Sequence, residues 1–133
     1  MGKLAIVGTS KLTDFESVKA MEIINNEYYR FPKPEKILTG DADGIDSLVL
    51  FSNHLTGIPV IVYKARDKNW GGEYGFKRRN LAIAEDCDEI ICITTSIKTR
   101  RCYHCDADHQ RSGGCFTLKA AKRKGKIART YVI

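Results

Sequence analysis

Short apolar runs alternate with longer stretches of helical spacing along this chain. Five runs predict strands, at 3–8 (KLAIVG), 36–40 (KILTG), 58–65 (IPVIVYKA), 88–95 (DEIICITT) and 127–133 (IARTYVI). Short apolar runs bounded by turn residues are typical of strands buried in a parallel sheet. Strands separated by helices indicate βαβ units with right-handed crossovers. We therefore expect an α/β fold, a three-layer Rossmann-like domain of about five parallel strands with helices on both faces.

The first predicted helix has a clear start signal and an apolar face. The sequence TDFE matches a capping box, in which Thr13 is the N-cap and Glu16 reaches back to its backbone. Apolar residues at helical spacing then predict the side that packs on the sheet, namely Phe15, Val18, Met21, Ile24 and Tyr28. Three further helices are expected, around 45–55, 74–85 and 114–124.

The composition fits a single domain. The chain has 133 residues, of which 43% are hydrophobic and 29% are charged, ordinary values for a soluble globular protein. No apolar run approaches the ~18 residues that a membrane span needs. The N-terminal sequence MGKLAIVGTS predicts a strand rather than a signal peptide. We expect one domain over 1–133, a cytoplasmic location and no membrane partner.

The net charge of +6 is unevenly distributed. Residues 98–129 hold ten Lys and Arg against two acids, which gives +8, while the remainder has 12 − 14 = −2. A basic stripe attracts phosphate, in a nucleotide or in a nucleic acid. For the run from Lys119 to Lys126 alone, a solvated helix face is the favoured interpretation.

Three glycine-containing segments follow a predicted strand or open a predicted helix, namely GTS at 8–10, TGDADGID at 39–46 and SGG at 112–114. Ligands of open parallel sheets bind at the carboxyl ends of the strands, where glycine backbones and helix N-termini attract anions. These segments therefore predict a phosphate-binding edge. Each glycine could also be a simple turn residue, and Asp41 and Asp43 could serve only as helix caps. ATP hydrolysis and the usual dinucleotide mode lack support, because the chain has neither a Walker sequence nor G-x-G-x-x-G.

Three longer stretches resemble the SLOG superfamily, the Rossmann-like group of DNA-processing protein A and the lonely-guy phosphoribohydrolases. LTGDADGIDSLVLFSNHLTGIPVIVYKA is similar to its G-x-x-x-G-x-D segment. DKNWGGEYGFKRRNLAIAEDCDEIICI is similar to the W…G…R-N stretch of its YspA/YpsA-like branch. SGGCFTLKAAKRKGKIARTYVI resembles the closing G-G-x-x-T helix and strand. Together the stretches follow the family's order and cover most of the chain.

The resemblance implies a pocket for a nucleotide or a nucleotide-derived ligand. Together with the first glycine segment, its expected residues are Gly8, Thr9, Ser10, Gly40, Gly44, Asp46, Arg79, Asn80, Gly113, Gly114 and Thr117. The guanidinium of Arg79 suits a phosphate because it presents a fork of donors, although Arg79 could instead lie on a solvated helix face. Asp46 could equally be an ordinary acid of the first helical turn.

The chain departs from the phosphoribohydrolase motif P-G-G-x-G-T-x-x-E. Ser112 stands in the place of the proline, Phe116 in that of the third glycine and Ala120 in that of the glutamate. Without the glutamate, one acid–base partner for glycosidic cleavage is missing. This favours ligand binding or sensing over catalysis.

The segment CYHCDADHQRSGGC, residues 102–115, holds three cysteines and two histidines. Cys102, Cys105, His109 and Cys115 supply three thiolates and one imidazole, a complete tetrahedral set for a structural zinc. The spacing is similar to the zinc knuckle C-x2-C-x4-H-x4-C with the histidine displaced by one, and His104 is an alternative ligand. We therefore expect an inserted zinc loop over 96–112.

Two other interpretations of these cysteines remain. Cys102 and Cys105 could form a redox pair, or one of them could form a disulfide with Cys115. Zinc is favoured, because redox pairs usually lie where a strand runs into a helix and because disulfides are unusual in a cytosol. Cys87 and Cys92 flank a predicted strand and are expected in the core.

The leading hypothesis is a sensor or regulator that binds a nucleotide or nucleotide-derived ligand and carries a structural zinc. The alternative is a single-stranded nucleic-acid-binding protein, which the knuckle-like spacing and nearby basic and aromatic residues would suit. These nearby residues are Arg100, Arg101, Tyr103 and Arg111. A second alternative is a nucleoside-monophosphate phosphoribohydrolase. A homo-oligomer is compatible with each.

Overall fold

A computed structural model describes residues 2–53, 56–67, 69–71, 75–95 and 113–133. Five strands and four helices alternate along these residues. Their bounds are β1 Lys3–Gly8, α1 Asp14–Tyr28, β2 Lys36–Gly40, α2 Ile45–Asn53, β3 Val60–Tyr63, α3 Phe76–Asp86, β4 Glu89–Thr94, α4 Gly113–Arg123 and β5 Ile127–Val132. The strand β3 is shorter than the predicted 58–65, and it begins directly after Pro59, which has no N–H to donate to a ladder.

The five strands form one parallel sheet in the order β3-β2-β1-β4-β5. The chain runs outward from β1 through β2 to β3, and then returns so that β4 pairs with the other side of β1. The predicted α/β fold class, a Rossmann-like arrangement, is therefore confirmed. The strand order reverses between β1 and β4, and ligands of open sheets bind beyond the carboxyl ends of strands at such a point.

Two apolar clusters fill the space between the sheet and its helices. On one face α1 and α2 pack on the sheet, with Ile24 and Val49 in the cluster. On the other face α3 and α4 do so, with Ile83 and Leu118. Cys87 and Cys92 lie in this second cluster, which confirms that they are core residues.

The helix α1 begins as predicted but faces the sheet with a different side. Both bonds of the capping box are present, since Thr13 N donates to Glu16 Oε1 at 2.8 Å and Glu16 N donates to Thr13 Oγ1 at 3.2 Å. The predicted apolar face is wrong in part, because Phe15 is 69% exposed and Val18 is 67% exposed. The buried positions of α1 instead include Ala20, which is fully buried.

The insert predicted over 96–112 lies outside the described residues. It therefore stays a prediction, as does the assignment of 1–133 to one domain. Among the described residues, no helix is long and apolar enough to cross a membrane.

Candidate functional site

A cavity of about 640 Å³ lies at the carboxyl ends of β1 and β2. This volume is within the range of small-molecule sites, about 300–1,000 Å³. Eight residues that the sequence assigned to a ligand site line this cavity, namely Gly8, Thr9, Ser10, Asp46, Arg79, Asn80, Gly114 and Thr117. The fold thus brings together segments that are far apart in the sequence.

The three remaining predicted residues lie beside the cavity rather than in its lining. Gly40 ends β2, and a Cβ placed there would lie 2.5 Å from Asp46 Oδ2. Gly44 precedes α2, with its Cα against the backbone of Ser10. Gly113 is the first residue of α4. These three glycines shape the path of the backbone around the cavity.

Asp46 is a buried carboxyl group at the start of α2, with only 6% of the residue exposed. Its Oδ2 accepts from Ala42 N at 3.2 Å and lies 4.0 Å from Arg79 Nη1. Burial raises the pKa of Asp46 to about 6, and the guanidinium of Arg79 and the hydrogen bonds to the carboxylate only partly oppose this. Asp46 is both the first-turn acid and a wall of the cavity.

The hydroxyl group of Thr39 connects Asp46 to the sheet. Thr39 Oγ1 lies 2.8 Å from the carbonyl oxygen of Ile6 and 3.1 Å from Asp46 Oδ1. A hydroxyl group has one hydrogen, and a carbonyl oxygen can only accept. The single hydroxyl hydrogen cannot serve both acceptors fully, so Thr39 gives the Asp46 carboxylate at most a shared hydrogen bond. A protonated Asp46 could instead donate to Thr39 while Thr39 donates to Ile6.

Arg79 does not lie on a solvated helix face, since 7% of its side chain is exposed. Its Nη1 donates to Asp41 Oδ1 at 2.9 Å and to the carbonyl oxygen of Tyr63 at 3.1 Å, and its Nε donates to Asn80 Oδ1 at 2.8 Å. Asp41 is thus an ion-pair partner of Arg79. A phosphate that approached Arg79 would compete with Asp41 for the guanidinium.

The first turn of α4 lies directly against the end of β1. A Cβ at Gly114 would lie 2.7 Å from Gly8 Cα and 3.2 Å from Cys92 Sγ, so only glycine fits. Thr117 follows one turn later and is fully buried while lining the cavity. Backbone N–H groups at a helix N-terminus bind anions. This end of the cavity has the chemistry for a phosphate.

An aromatic wall of the cavity was not among the predicted site residues. Trp70 and Phe76 line the cavity, and Trp70 meets Phe116 of α4 edge to face with ring centroids 4.9 Å apart. The backbone next to Trp70 is also held, because Phe76 N donates to the carbonyl oxygen of Asn69 at 2.9 Å. The sequence feature that could have indicated this wall is the single tryptophan in a polar, glycine-rich loop.

Charged residues distribute unequally around the cavity. Asp41, Asp43 and Asp46 lie along one side, and Lys11 and Arg79 are the cationic residues of the described lining. A chain of phosphodiesters would meet three acidic groups there. A ligand with one anionic end and hydroxyl or amino groups at the other matches this lining better.

The described part of the basic segment is partly neutralised by acids. Arg129 Nη2 bonds Glu27 Oε1 at 2.5 Å and Glu89 Oε1 at 3.0 Å. Lys124 Nζ lies 2.6 Å from Glu85 Oε2. The other basic residues of 98–111 lie outside the described residues. The described part therefore supplies less local positive charge than the count of +8 implies.

Cys115 is the one predicted zinc ligand within the described residues. It is fully buried in the core between the sheet and α4, with Sγ 3.8 Å from Cys92 Sγ. This is the environment of a core thiol. Cys102, Cys105, His104 and His109 lie outside the described residues. No group of three or more possible metal ligands occurs among the residues that were placed, and the zinc site stays a prediction.

No protein-family model and no curated protein matches this chain. Among solved structures, the chain is similar to DNA processing protein A from Helicobacter pylori, a protein described for its unique single-stranded DNA binding mode. The two share 16% sequence identity with a TM-score of 0.60. The match covers 96% of this chain and 64% of that one. At this identity the likeness establishes a common fold.

Proposed function

We propose that the cavity binds a nucleotide or a nucleotide-derived small molecule. The observation that carries the proposal is the division of one cavity into three kinds of surface. The first turn of α4 offers backbone donors to a phosphate, and Ser10 after β1 adds a hydroxyl group. Trp70 offers an aromatic face to a base. Three carboxyl groups face the hydroxyl and amino groups that a sugar and a base carry.

Ligand-induced thermal stabilisation tests this proposal. Nucleoside monophosphates and cyclic and dinucleotide ligands should raise the melting temperature, since a ligand that binds only the folded state stabilises it. The variant Thr117→Val removes a hydroxyl group from the cavity and should weaken the effect. Thr94→Val is the matched control, because Thr94 is equally buried but outside the cavity lining. Equal effects of both variants would contradict the proposal.

Single-stranded nucleic acid is the second candidate ligand. The shared fold with a protein described for binding single-stranded DNA and the +8 of residues 98–129 favour it. Three carboxyl groups in the cavity disfavour a phosphodiester chain there, so the strand would bind outside it. A steep dependence of oligonucleotide affinity on salt would indicate several phosphate contacts, and a mononucleotide that binds with little salt dependence would favour the cavity.

Catalysis by glycosidic cleavage is the remaining candidate. Ala120, a residue of α4, packs against the core cluster and brings no carboxyl group to the cavity. Protein-dependent release of free base from nucleoside monophosphates, lost in Arg79→Ala, would establish this activity and overturn the preference for binding alone.

We also propose that Cys102, Cys105, His109 and Cys115 hold a structural zinc, with His104 as the alternative to His109. The spacing in the sequence supports this proposal. A closed site of four protein ligands would give the polar segment 96–112 a fixed framework, and it would place that segment next to the first turn of α4.

A further inference from the structure

The two edge strands of the sheet differ in how they are protected from pairing. The strand β3 has four residues, follows Pro59 and precedes Lys64, and short edges flanked by proline and lysine resist pairing. The strand β5 has six residues, IARTYV, with neither proline nor glycine. Within the described part of the chain, no strand lies on its outer side.

The backbone groups that β5 turns outward can be identified from its pairing with β4. Ile133 N donates to the carbonyl oxygen of Thr94 at 2.8 Å, so Ile133 points its backbone toward β4. Backbone direction alternates along a strand in a parallel pair. Ala128, Thr130 and Val132 therefore direct N–H and C=O groups away from the sheet.

The one charged side chain of β5 does not protect this edge. Arg129 is bound by Glu27 and Glu89 of its own chain. The apolar residues at the two ends of the strand are open, with Ile127 at 65% and Val132 at 45% exposure. A long, uncharged and partly apolar edge is a pairing surface.

We propose that β5 pairs antiparallel with β5 of a second copy of this chain, about a two-fold axis at Thr130. Such a pairing is isologous and joins the two sheets into one. Each outward-pointing residue then faces another outward-pointing residue, Ala128 opposite Val132 and Thr130 opposite its own symmetry mate. On the alternate positions Arg129 lies opposite Tyr131, and Ile127 lies opposite Ile133.

Charge favours this register over the one with its axis at residue 129. Shifting the axis to residue 129 would place Arg129 directly opposite itself, and like charges that face each other across strands destabilise the pair. With the axis at Thr130, Arg129 meets an aromatic ring, as it already does within its own chain, where its guanidinium carbon is 6.0 Å from the Tyr131 ring centroid. The second copy is thus a complementary partner for β5.

The proposed dimer does not depend on a ligand. The strand β5 is the edge strand next to β4, and none of its residues lines the cavity. A six-residue edge gives a small interface, and small interfaces belong to weak complexes. Sedimentation equilibrium should show the mass rising from that of one 15.0 kDa chain toward twice that value with increasing concentration.

Two variants at position 130 test the register. Thr130→Pro removes an outward N–H group that the monomer does not use and should weaken the dimer at least about tenfold, with the thermal transition retained. Thr130→Cys should give a disulfide between two copies under mild oxidation, identified by mass spectrometry of the C-terminal peptide. Asn26→Cys, on the exposed side of α1, is the control cysteine.

A dimer that Thr130→Pro weakens and that Thr130→Cys links faster than Asn26→Cys would support the proposal. A monomer at every concentration would overturn it. So would a dimer that Thr130→Pro leaves unchanged, or equal crosslinking at the two cysteine positions.

Discussion

Asp46 and Arg79 approach the end of β2 from helices on opposite faces of the sheet, with Oδ2 of Asp46 4.0 Å from Nη1 of Arg79. Gly40 lies between them, and a Cβ there would collide with Arg79 Nη1 and lie 2.5 Å from Asp46 Oδ2. The absence of a side chain at Gly40 is therefore what lets Asp46 and Arg79 approach each other, and both residues line the cavity.

Gly40→Ala should destabilise the protein because the added methyl group has no space. Overpacking of this kind typically costs about 1–3 kcal/mol of unfolding free energy. Urea unfolding measures the change. Gly71→Ala is the matched control, since a Cβ at Gly71 would meet none of the described residues within 4 Å. Equal stability of the two variants would show that Arg79 and Asp46 can move apart freely.

Because of Asp46, the free energy of unfolding should fall as the pH rises. Its pKa is raised from 3.8 to about 6 by burial, so its neutral form favours folding. That contribution is fully present below pH 3.8 and is lost as pH rises through about 6, a change of about 3 kcal/mol by linkage.

Asp46→Asn isolates this effect, because an amide can donate to Thr39 and accept from Ala42 as the neutral acid does. The stability of wild type relative to Asp46→Asn should therefore decline between pH 4 and pH 7. Other acids have lowered pKa values, among them Asp88 and Glu89, and they are common to both proteins and cancel in the difference. A difference that is constant with pH would contradict the burial of a titrating carboxyl group.

The fold could be predicted from the sequence because its strands and helices have local signals. The apolar runs at KLAIVG and KILTG match β1 and β2 residue for residue, and the capping box of Thr13 and Glu16 is present. The orientation of α1 could not be predicted in the same way. Its rotation depends on contacts with partners far along the chain, such as the bond from Arg129 to Glu27.

The parts of the candidate site that glycines form could be predicted from the sequence. The parts that depend on contacts between side chains were harder to predict. Asp46 and Arg79 lie close together because of the strand order, and the sequence alone does not specify that order. The contact between Asp41 and Arg79 has no local signal in the sequence and is seen only in the structure. Trp70 was missed as a wall because its position is fixed by Phe116, which lies 46 residues later on α4.

The fluorescence of Trp70 should report ligand binding. It is the one tryptophan of the chain and lines the cavity, so a base that stacks on it should change its emission. Phe116→Ala removes its edge-to-face partner and should weaken binding. Titration of the fluorescence with nucleoside monophosphates measures both effects, and Phe51→Ala, an exposed phenylalanine on α2, is the control. Unchanged emission at saturation would exclude a base at Trp70.

Zinc content tests the proposed cysteine and histidine set. Protein purified under reducing conditions should contain about one equivalent of zinc, and Cys102→Ser and Cys105→Ser should each lose it, because a structural site needs all four ligands. Elemental analysis measures the metal. Cys87→Ser is the control, since Cys87 lies in the core and bonds Ala84. Less than about a tenth of an equivalent in the wild type would contradict the site.

Titration calorimetry with a nucleoside 5′-monophosphate and the matching nucleoside tests the central claim most directly. The monophosphate should bind, and the nucleoside should bind at least about tenfold more weakly, because the phosphate contacts the N-terminus of α4. Gly114→Ala, which forces α4 away from Gly8, should remove this difference, while Gly71→Ala should retain it. Equal affinity for the nucleotide and the nucleoside, or no binding by any nucleotide tested, would contradict a phosphate site at α4.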